Sequence, residues 1–525
     1  KAQTAMALSR LSPCLVICDD EASAIRMTGD INEMAGEQLA CVFPAKDLNF
    51  AYMEGVSREY EHKRLEALSL ITQGKCKIIA ASMEACLQGT IPQDKLKEFS
   101  FEIKTGGELS LEELTNKLLA GGYTRTDQVE GQAQFSVRGS IADIFPVQES
   151  RPVRIELWGD EVDSISYFDP ESQRRTDPID EIMVFPALEI IFPDTDDLVT
   201  KLEALSKSVR GNRTDKIRTN ISRDIETAQS GITLTNLDKY YTVCYDKLTT
   251  VFDYFESGVC LVSEYTNCIE KGKAALAQLS EDMKLLYEDG ILFRKLEGFY
   301  LDIPQAELKI TQMKSVFLDS FMRSNNGVKF KKLINTDCRQ TAAWGGNIIN
   351  LEEELKNLCS QGYCTVVLAG SEKTLPIINK DLNDAGISAE ILTEDSEIIK
   401  GKVYLRTGCL SGGFDYPDIG CAAITQMKAM SAKKRKSRHK AGEEIKSLSD
   451  IQTGDLVVHA MYGIGRFSGI KNIETNGVTK DYITIKYAGT DVLYVPVTQL
   501  DLVSRYIGPR DDGAVKLNKL NSMEW

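Results

Sequence analysis

Three stretches of this sequence hold residue types at spacings that could do chemistry. The first is Asp19-Asp20-Glu21, which follows the apolar run Cys14-Leu15-Val16-Ile17-Cys18. Carboxylates placed after a buried strand can hold magnesium through its water shell. The second is Gly370-Ser371-Glu372-Lys373-Thr374. A phosphate loop needs Gly-x-x-x-x-Gly-Lys-Ser/Thr so that backbone N–H groups wrap the phosphates while the Lys reaches the terminal ones. Here the first Gly and the Gly before the Lys are missing, so a plain helix N-terminus is the preferred reading. The third is recognition chemistry. In Val153 to Trp158, Val153, Ile155 and Leu157 alternate with Arg154, Glu156 and Trp158, which puts Arg154 and Trp158 together on the face turned from the core. An outward Trp beside an Arg is a protein-binding signature, because these two types dominate interface hot spots. Arg138 lies on the neighbouring strand, where pairing with Asp143 or Glu156 is the competing role. Thirteen cysteines occur without a Cys-x-x-Cys pair, and with three histidines (His62, His439, His459) no metal-ligand spacing emerges.

These residues need elements to position them. Cys14 to Cys18 and Lys77 to Ala81 read as buried strands, and Glu59 to Ile71 reads as a helix, which together predict an α/β layer. From about Phe101 the pattern changes. Leu109 to Leu119 predicts a helix capped by Ser110, with Glu113 completing a capping box. Gln134–Val137, Ile141–Phe145, Val153–Trp158 and Ser164–Phe168 then predict a meander that turns at Gly159-Asp160. A second α/β unit is expected from about Val328 to Met430, with strands at Cys364–Ala369, Val403–Arg406 and Cys421–Thr425. Between Ile451 and Tyr506, Ile483, Ile485 and Tyr487 alternate with Tyr482, Thr484 and Lys486, and turn signals at Asn476-Gly477 and near Gly489 cut the segment into short strands. That is the recipe for a small bent barrel, with Gly463 and Gly465 at a sharp bend and Pro496 on an edge strand or at a strand beginning.

A chain of 525 residues exceeds one core and predicts three to five domains. It starts at Lys1 and stops after Trp525, and is read as a fragment of a longer protein. The net charge of -15 argues against a chain that grips nucleic acid along its whole surface. The basic run Lys433 to Lys440 is a local exception, and reads as a solvated tether or as a nucleic-acid or polymerase contact. Without a signal peptide or a membrane-length apolar run, the expectation is a soluble cytoplasmic protein with reduced cysteines and no membrane contact.

Gly454-Asp455, Val457-Val458-His459, Gly463-Ile464-Gly465-Arg466-Phe467, Asp481-Tyr482 and Leu493-Tyr494-Val495-Pro496-Val497 form a linked set. It resembles the polymerase-interaction domain that bacterial transcription-repair coupling factors share with CarD-like regulators. Residues 1 to 317 resemble the module that those factors share with the excinuclease B subunit, through Phe43-Pro44-Ala45-Lys46-Asp47, Val137-Arg138-Gly139, Asp143-Ile144-Phe145-Pro146, Phe168 to Arg174, Phe185-Pro186-Ala187 and Leu248 to Gly258.

The resemblance implies a multidomain α/β chain: a degenerate helicase-like α/β domain (1–99 and 187–317) with an inserted α+β UvrA-binding domain (100–186), a small α/β domain (318–430), a basic linker (431–450), an SH3/Tudor-like small β-barrel (451–510) and the start of a linker (511–525). It assigns UvrA contact to Arg138, Arg154 and Trp158, the last departing from the Phe frequent in the family. Contact with the β subunit of RNA polymerase falls to Ile470, Lys471, Asn472, Ile473 and Glu474, with barrel core as the competing role for Ile473. The metal-binding Asp-Glu pair of the excinuclease B subunit aligns with Ser263 and Glu264, and Ser cannot replace a carboxylate that holds magnesium. Asp19-Asp20-Glu21 comes too early in such a fold for that role, and Leu410 to Pro417 looks like a vestigial helicase motif with no matching arginine finger. The implied function is a scaffold without catalysis or cofactor of its own, joining stalled RNA polymerase to UvrA. The full-length parent would be an ATP- and magnesium-dependent double-stranded DNA translocase, its motor lying beyond Trp525. The alternative is an ATP-dependent helicase akin to the excinuclease B subunit.

Overall fold

The computed structural model describes residues 1–525 apart from 49, 52–56, 212, 322–327, 342–343, 345–347, 394–395, 427–441, 445–452, 460–462, 476–477, 488–491, 497–502 and 507–525. For 442–444, 459, 463, 470, 472–475, 478–482, 496 and 503–506 it describes the backbone alone. The basic run at 433–440, the turns at 476–477 and near 489, and the segment 511–525 therefore lie outside the described residues. Two compact units are present, Lys1–Lys428 and Ala429–Trp525.

In chain order, the first unit opens with strands β1 (Cys14–Cys18), β2 (Ala40–Phe43) and β3 (Ile78–Ser82). An inserted region follows with β4 (Phe101–Lys104), β5 (Thr124–Arg125), β6 (Gln134–Arg138), β7 (Ile141–Ile144), β8 (Val153–Trp158), β9 (Glu161–Phe168), β10 (Arg175–Ile179) and β11 (Glu181–Val184). Next come β12 (Val259–Ser263) and β13 (Lys314–Leu318), then β14 (Arg339–Thr341), β15 (Cys364–Leu368), β16 (Ala389–Ile391), β17 (Val403–Arg406), β18 (Gly413–Tyr416) and β19 (Cys421–Thr425). The second unit holds β20 (Gly442–Glu444), β21 (Leu456–His459), β22 (Gly463–Thr475), β23 (Val478–Lys486), β24 (Val492–Pro496) and β25 (Val503–Tyr506).

The first sheet is parallel throughout, in the order β13-β12-β1-β3-β2. Its central strands are continuous apolar runs because helices cover both faces. Strand alternation divides these runs between two cores: Leu15, Ile17, Ile79, Ala81, Cys260 and Val262 enter one, and Cys14, Val16, Cys18, Ile78, Ala80 and Leu261 the other. The first of these cores continues without a break into the inserted region, where Leu114, Leu118, Phe135, Ala142, Ile144 and Ile155 join it. The insert is a six-stranded sheet in the order β10-β9-β8-β7-β6-β5, with β4 and β11 paired separately. Ser110 caps the helix Leu111–Ala120 by accepting the Glu113 N–H. The expected reciprocal half of a capping box is replaced, since the Glu113 carboxylate meets Lys117 one turn on at 2.7 Å.

Where the insert returns to the parent sheet, buried charges join the two. Arg64 donates through Nε to Glu189 Oε1 at 2.8 Å and through its other nitrogens to the carbonyls of Pro44 and Gly89. Lys46 Nζ bridges Glu189 Oε2 at 2.7 Å and Asp238 at 2.8 Å. A guanidinium with every side occupied can be fully buried without an unmet donor.

The third sheet, in the order β14-β18-β19-β15-β17-β16, carries its own core around Leu351, Leu355, Val367, Leu382 and Leu405. Ser411 at its rim donates its backbone N–H to Asp30 Oδ1 at 2.7 Å, and Arg406 reaches the carbonyl of Glu33, so this sheet is tied to the helix Glu21–Ala35 of the first.

The second unit is a six-stranded antiparallel sheet, β20-β25-β21-β22-β23-β24. Pairing among the described residues gives an open sheet order rather than a closed ring. Ile483, Ile485 and Tyr487 are buried as the alternation predicts and Lys486 is exposed, but Thr484 is buried as well. Pro496 ends an edge strand, where no ladder bond is needed from it. The predicted bend at Gly463-Ile464-Gly465 is absent: both glycines lie within the thirteen-residue β22. A Cβ on Gly465 would stand 2.5 Å from Ile485 Cγ2 and 3.1 Å from the Lys486 carbonyl, so glycine here permits close packing rather than a turn.

Candidate docking surfaces

The inserted sheet brings the three predicted UvrA-contact residues onto one face and gives them different roles. Asp143 on β7 stands opposite Arg154 on β8 in register. Its carboxylate is buried, although its neighbours Ala142 and Ile144 take the core side. Arg154 covers it with a two-pronged ion pair, Nε to Oδ1 at 2.7 Å and Nη2 to Oδ2 at 2.8 Å. The guanidinium also donates to the Gln173 carbonyl at 3.1 Å and lies 4.7 Å from the centre of the Phe168 ring. Arg154 is thus half-buried on the non-core face, with its guanidinium engaged by Asp143, Gln173 and Phe168. A planar guanidinium fork matches a carboxylate at two points at once, which holds the pair together.

Arg138 takes the remaining side of Asp143, with Nη2 3.1 Å from Oδ2, and its side chain stays 54% exposed. Trp158 ends β8 at the hairpin where Gly159 adopts a φ of +65°, and is 84% exposed. Glu156, between Arg154 and Trp158, pairs with Arg175. The face therefore presents a solvent-facing indole and a tethered guanidinium above a rigid buried carboxylate. Asp143 is the member that sequence reasoning saw only as a competitor for Arg138; its position on the non-core face of β7 was the available signal.

In the second unit, β22 is long and its two neighbours are unequal. β23 runs alongside it from Arg466 to Thr475, whereas β21 pairs only with Gly463 to Arg466. Residues Ile470 to Glu474 are thus laddered on one side, and no strand pairs with their other edge among the described residues. A Gly469 with φ +112° and a register shift between Phe467 and Gly469 turn the strand at that point. Lys471 is exposed, with Nζ 5.7 Å from the centre of the Tyr494 ring. The side chains of Ile470, Asn472, Ile473 and Glu474 lie outside the described residues.

The carboxylates that imitate a nucleotide site have local partners. Asp20 accepts the Ser23 N–H at 2.7 Å as a helix cap, and this bond holds its carboxyl below the ordinary range. Glu264, in a left-handed conformation (φ +56°) after β12, receives Lys1 Nζ at 2.6 Å and the Ser320 N–H at 2.9 Å on the same oxygen, while Ser263 accepts from Lys1 at 3.0 Å. These residues do not fit a magnesium–nucleotide site: Ser263 offers no charge, and Glu264 Oε1 already receives three donors. Among the described residues no group of three or more His, Cys, Asp or Glu could hold a metal. At Gly370–Thr374, the Thr374 hydroxyl donates to the Ala369 carbonyl at 2.7 Å and the helix that follows has Pro376 in its first turn.

The combination of an α/β body with an inserted recognition sheet and a separate antiparallel sheet corresponds to two family models, the UvrB interaction domain over residues 101–189 and the CarD-like/TRCF RID domain over residues 451–507. The chain is thus similar to two domain families at once, one in its first unit and one in its second. Along nearly its whole length the chain is similar to transcription-repair-coupling factors. It is 29% identical to that of Bacillus subtilis over 535 aligned positions, covering 99% of this chain and 45% of the relative. It is 28% identical to that of Staphylococcus haemolyticus and 26% identical to one of Staphylococcus aureus, each covering 97% of this chain and 44% of the relative. The chain thus spans less than half the length of these relatives.

Proposed function

We propose that this chain is the scaffold portion of a transcription-repair coupling factor, docking UvrA on the inserted sheet and the β subunit of RNA polymerase on the edge of β22 that no strand pairs among the described residues. The observation that carries the reading is the exposed Trp158 on the same sheet face as Arg138, which is tethered to the buried Asp143, within the stretch that matches the UvrB interaction domain. A large indole in water has a reason to be there when a partner buries it. Polymerase binding would add a strand to the open edge at Ile470–Glu474, satisfying its backbone groups.

In this reading the chain binds neither nucleotide nor magnesium, and ATP-driven translocation on double-stranded DNA belongs to the full-length parent. The chain works in the cytoplasm; no helix among the described residues is long and apolar enough to cross a membrane. Titration with purified UvrA and with the isolated polymerase β subunit tests both contacts. Trp158→Ala should weaken UvrA binding about thirtyfold, near 2 kcal/mol, and leave polymerase binding intact. Ile473→Arg should do the reverse without changing the melting temperature. DNA-stimulated ATP hydrolysis by this chain would instead support an enzyme akin to the excinuclease B subunit.

A further inference from the structure

Cys41 and Cys76 stand with their sulfurs 3.2 Å apart, thirty-five residues apart in sequence, and both are buried. Cys41 belongs to β2, the edge strand of the parallel sheet, and Cys76 to the turn between the helix Glu59–Thr72 and β3. The backbone fixes this approach. β2 and β3 pair in parallel with Ala40 opposite Ile78 and Cys41 opposite Ile79, and the Leu39 carbonyl receives the N–H groups of Lys77 and Ile78. The Cys76 thiol lies 3.2 Å from the Leu39 carbonyl and 3.0 Å from that of Ile78, so its sulfur is held between the two strands. Lys75 and Lys77 on either side of Cys76 are exposed, and Gly74 precedes them at φ +70°, so a local opening of this surface turn would bring the pair within reach of a small oxidant. The docking surfaces use neither thiol.

We propose that Cys41 and Cys76 are a disulfide-forming pair that closes in response to a peroxide. One thiol loses its proton and its sulfur attacks a peroxide oxygen; the O–O bond breaks, water leaves and a sulfenic acid remains. The second sulfur then attacks the sulfenic sulfur, the S–O bond breaks and a second water departs. In sum, two thiols and one hydrogen peroxide give one disulfide and two waters, the sulfurs losing the electron pair that the peroxide gains. The sulfurs need to approach by only about 1 Å to reach the roughly 2 Å separation of the bond. The link encloses the segment that carries Lys46, Glu61 and Arg64, joins the edge strand to the turn, and stabilises the folded body by restricting the unfolded chain.

The test treats the full 525-residue chain, carrying Cys338→Ser so that the exposed Cys338 cannot join molecules, with hydrogen peroxide. After denaturation, alkylation of free thiols and proteolysis, mass spectrometry should find the Cys41 and Cys76 peptides linked in most molecules. The melting temperature should rise by several degrees and return after dithiothreitol; Cys41→Ser should abolish the link and the rise. Recovery of Cys41 and Cys76 as separately alkylated peptides, or accumulation of unlinked sulfinic acid at either, would overturn the proposal. Should Cys41→Ser fail to fold, the peptide result on the chain that retains both thiols decides alone.

Discussion

At the residue scale, Arg154 and Trp158 sit two positions apart on one strand and should behave as opposites on substitution. The Trp158 side chain is almost wholly in solvent, so in the proposed reading its removal should act on binding rather than on stability. Arg154 neutralises a carboxylate that the sheet has taken out of water, and Arg154→Ala would leave Asp143 with only the exposed Arg138. Breaking a buried ion pair from one side costs on the order of 3 kcal/mol. Thermal denaturation of Arg154→Ala should accordingly show a clear fall in melting temperature, where Trp158→Ala shows none. A loss of UvrA binding that tracks the fall in stability would come through the displacement of Arg138 and β8. An Arg154→Ala chain that melts like the unsubstituted one yet fails to bind UvrA would restore Arg154 to the contact surface.

At the element scale, periodicity carried most of the fold. Continuous apolar runs located β1, β3, β15, β17 and β19 to within a residue and alternation located β8, because in each case the burial of a face sets the pattern, whereas β9 starts three residues before the expected Ser164. The role of Gly465 was not legible, since a glycine required for a bend and one required by a neighbour's methyl group look alike in one sequence. Gly465→Ala should destabilise the second unit by about 1–3 kcal/mol, the usual consequence of overpacking. Its denaturation followed by a probe within 451–507 checks this; an unchanged midpoint would mean that Ile485 yields freely. The docking of the third sheet through Asp30 and Ser411 was equally hidden, because a surface Asp and a loop Ser carry no periodic signal. For the candidate site, sequence identified the face and its strand, while the sharing of Asp143 by two arginines depends on cross-strand register.

At the scale of the whole molecule, the inserted sheet shares a core with the parent α/β body and is joined to it through Glu189. Burial alone would raise the Glu189 carboxyl, but Arg64 and Lys46 outweigh it and hold it below the ordinary carboxylate range. A carboxyl lowered by folding adds stability above its unfolded pKa of about 4.3, and that contribution is lost as the pH falls through the native value. Glu189→Gln should therefore destabilise the first unit by about 3–5 kcal/mol at neutral pH and shrink the difference from the unsubstituted chain under acid, as followed by denaturant titration from pH 7 downward. A constant difference across that range would place the stabilisation elsewhere.

The central claim is that one chain docks two macromolecules on separate β surfaces. Immobilised polymerase β subunit, incubated with UvrA in the presence and absence of this chain, tests it directly. The account predicts that UvrA is retained only when the chain is present, that Trp158→Ala sharply reduces retention, and that Ile473→Arg abolishes it. Retention of the chain without UvrA, with UvrA displacing it from the β subunit, would contradict it.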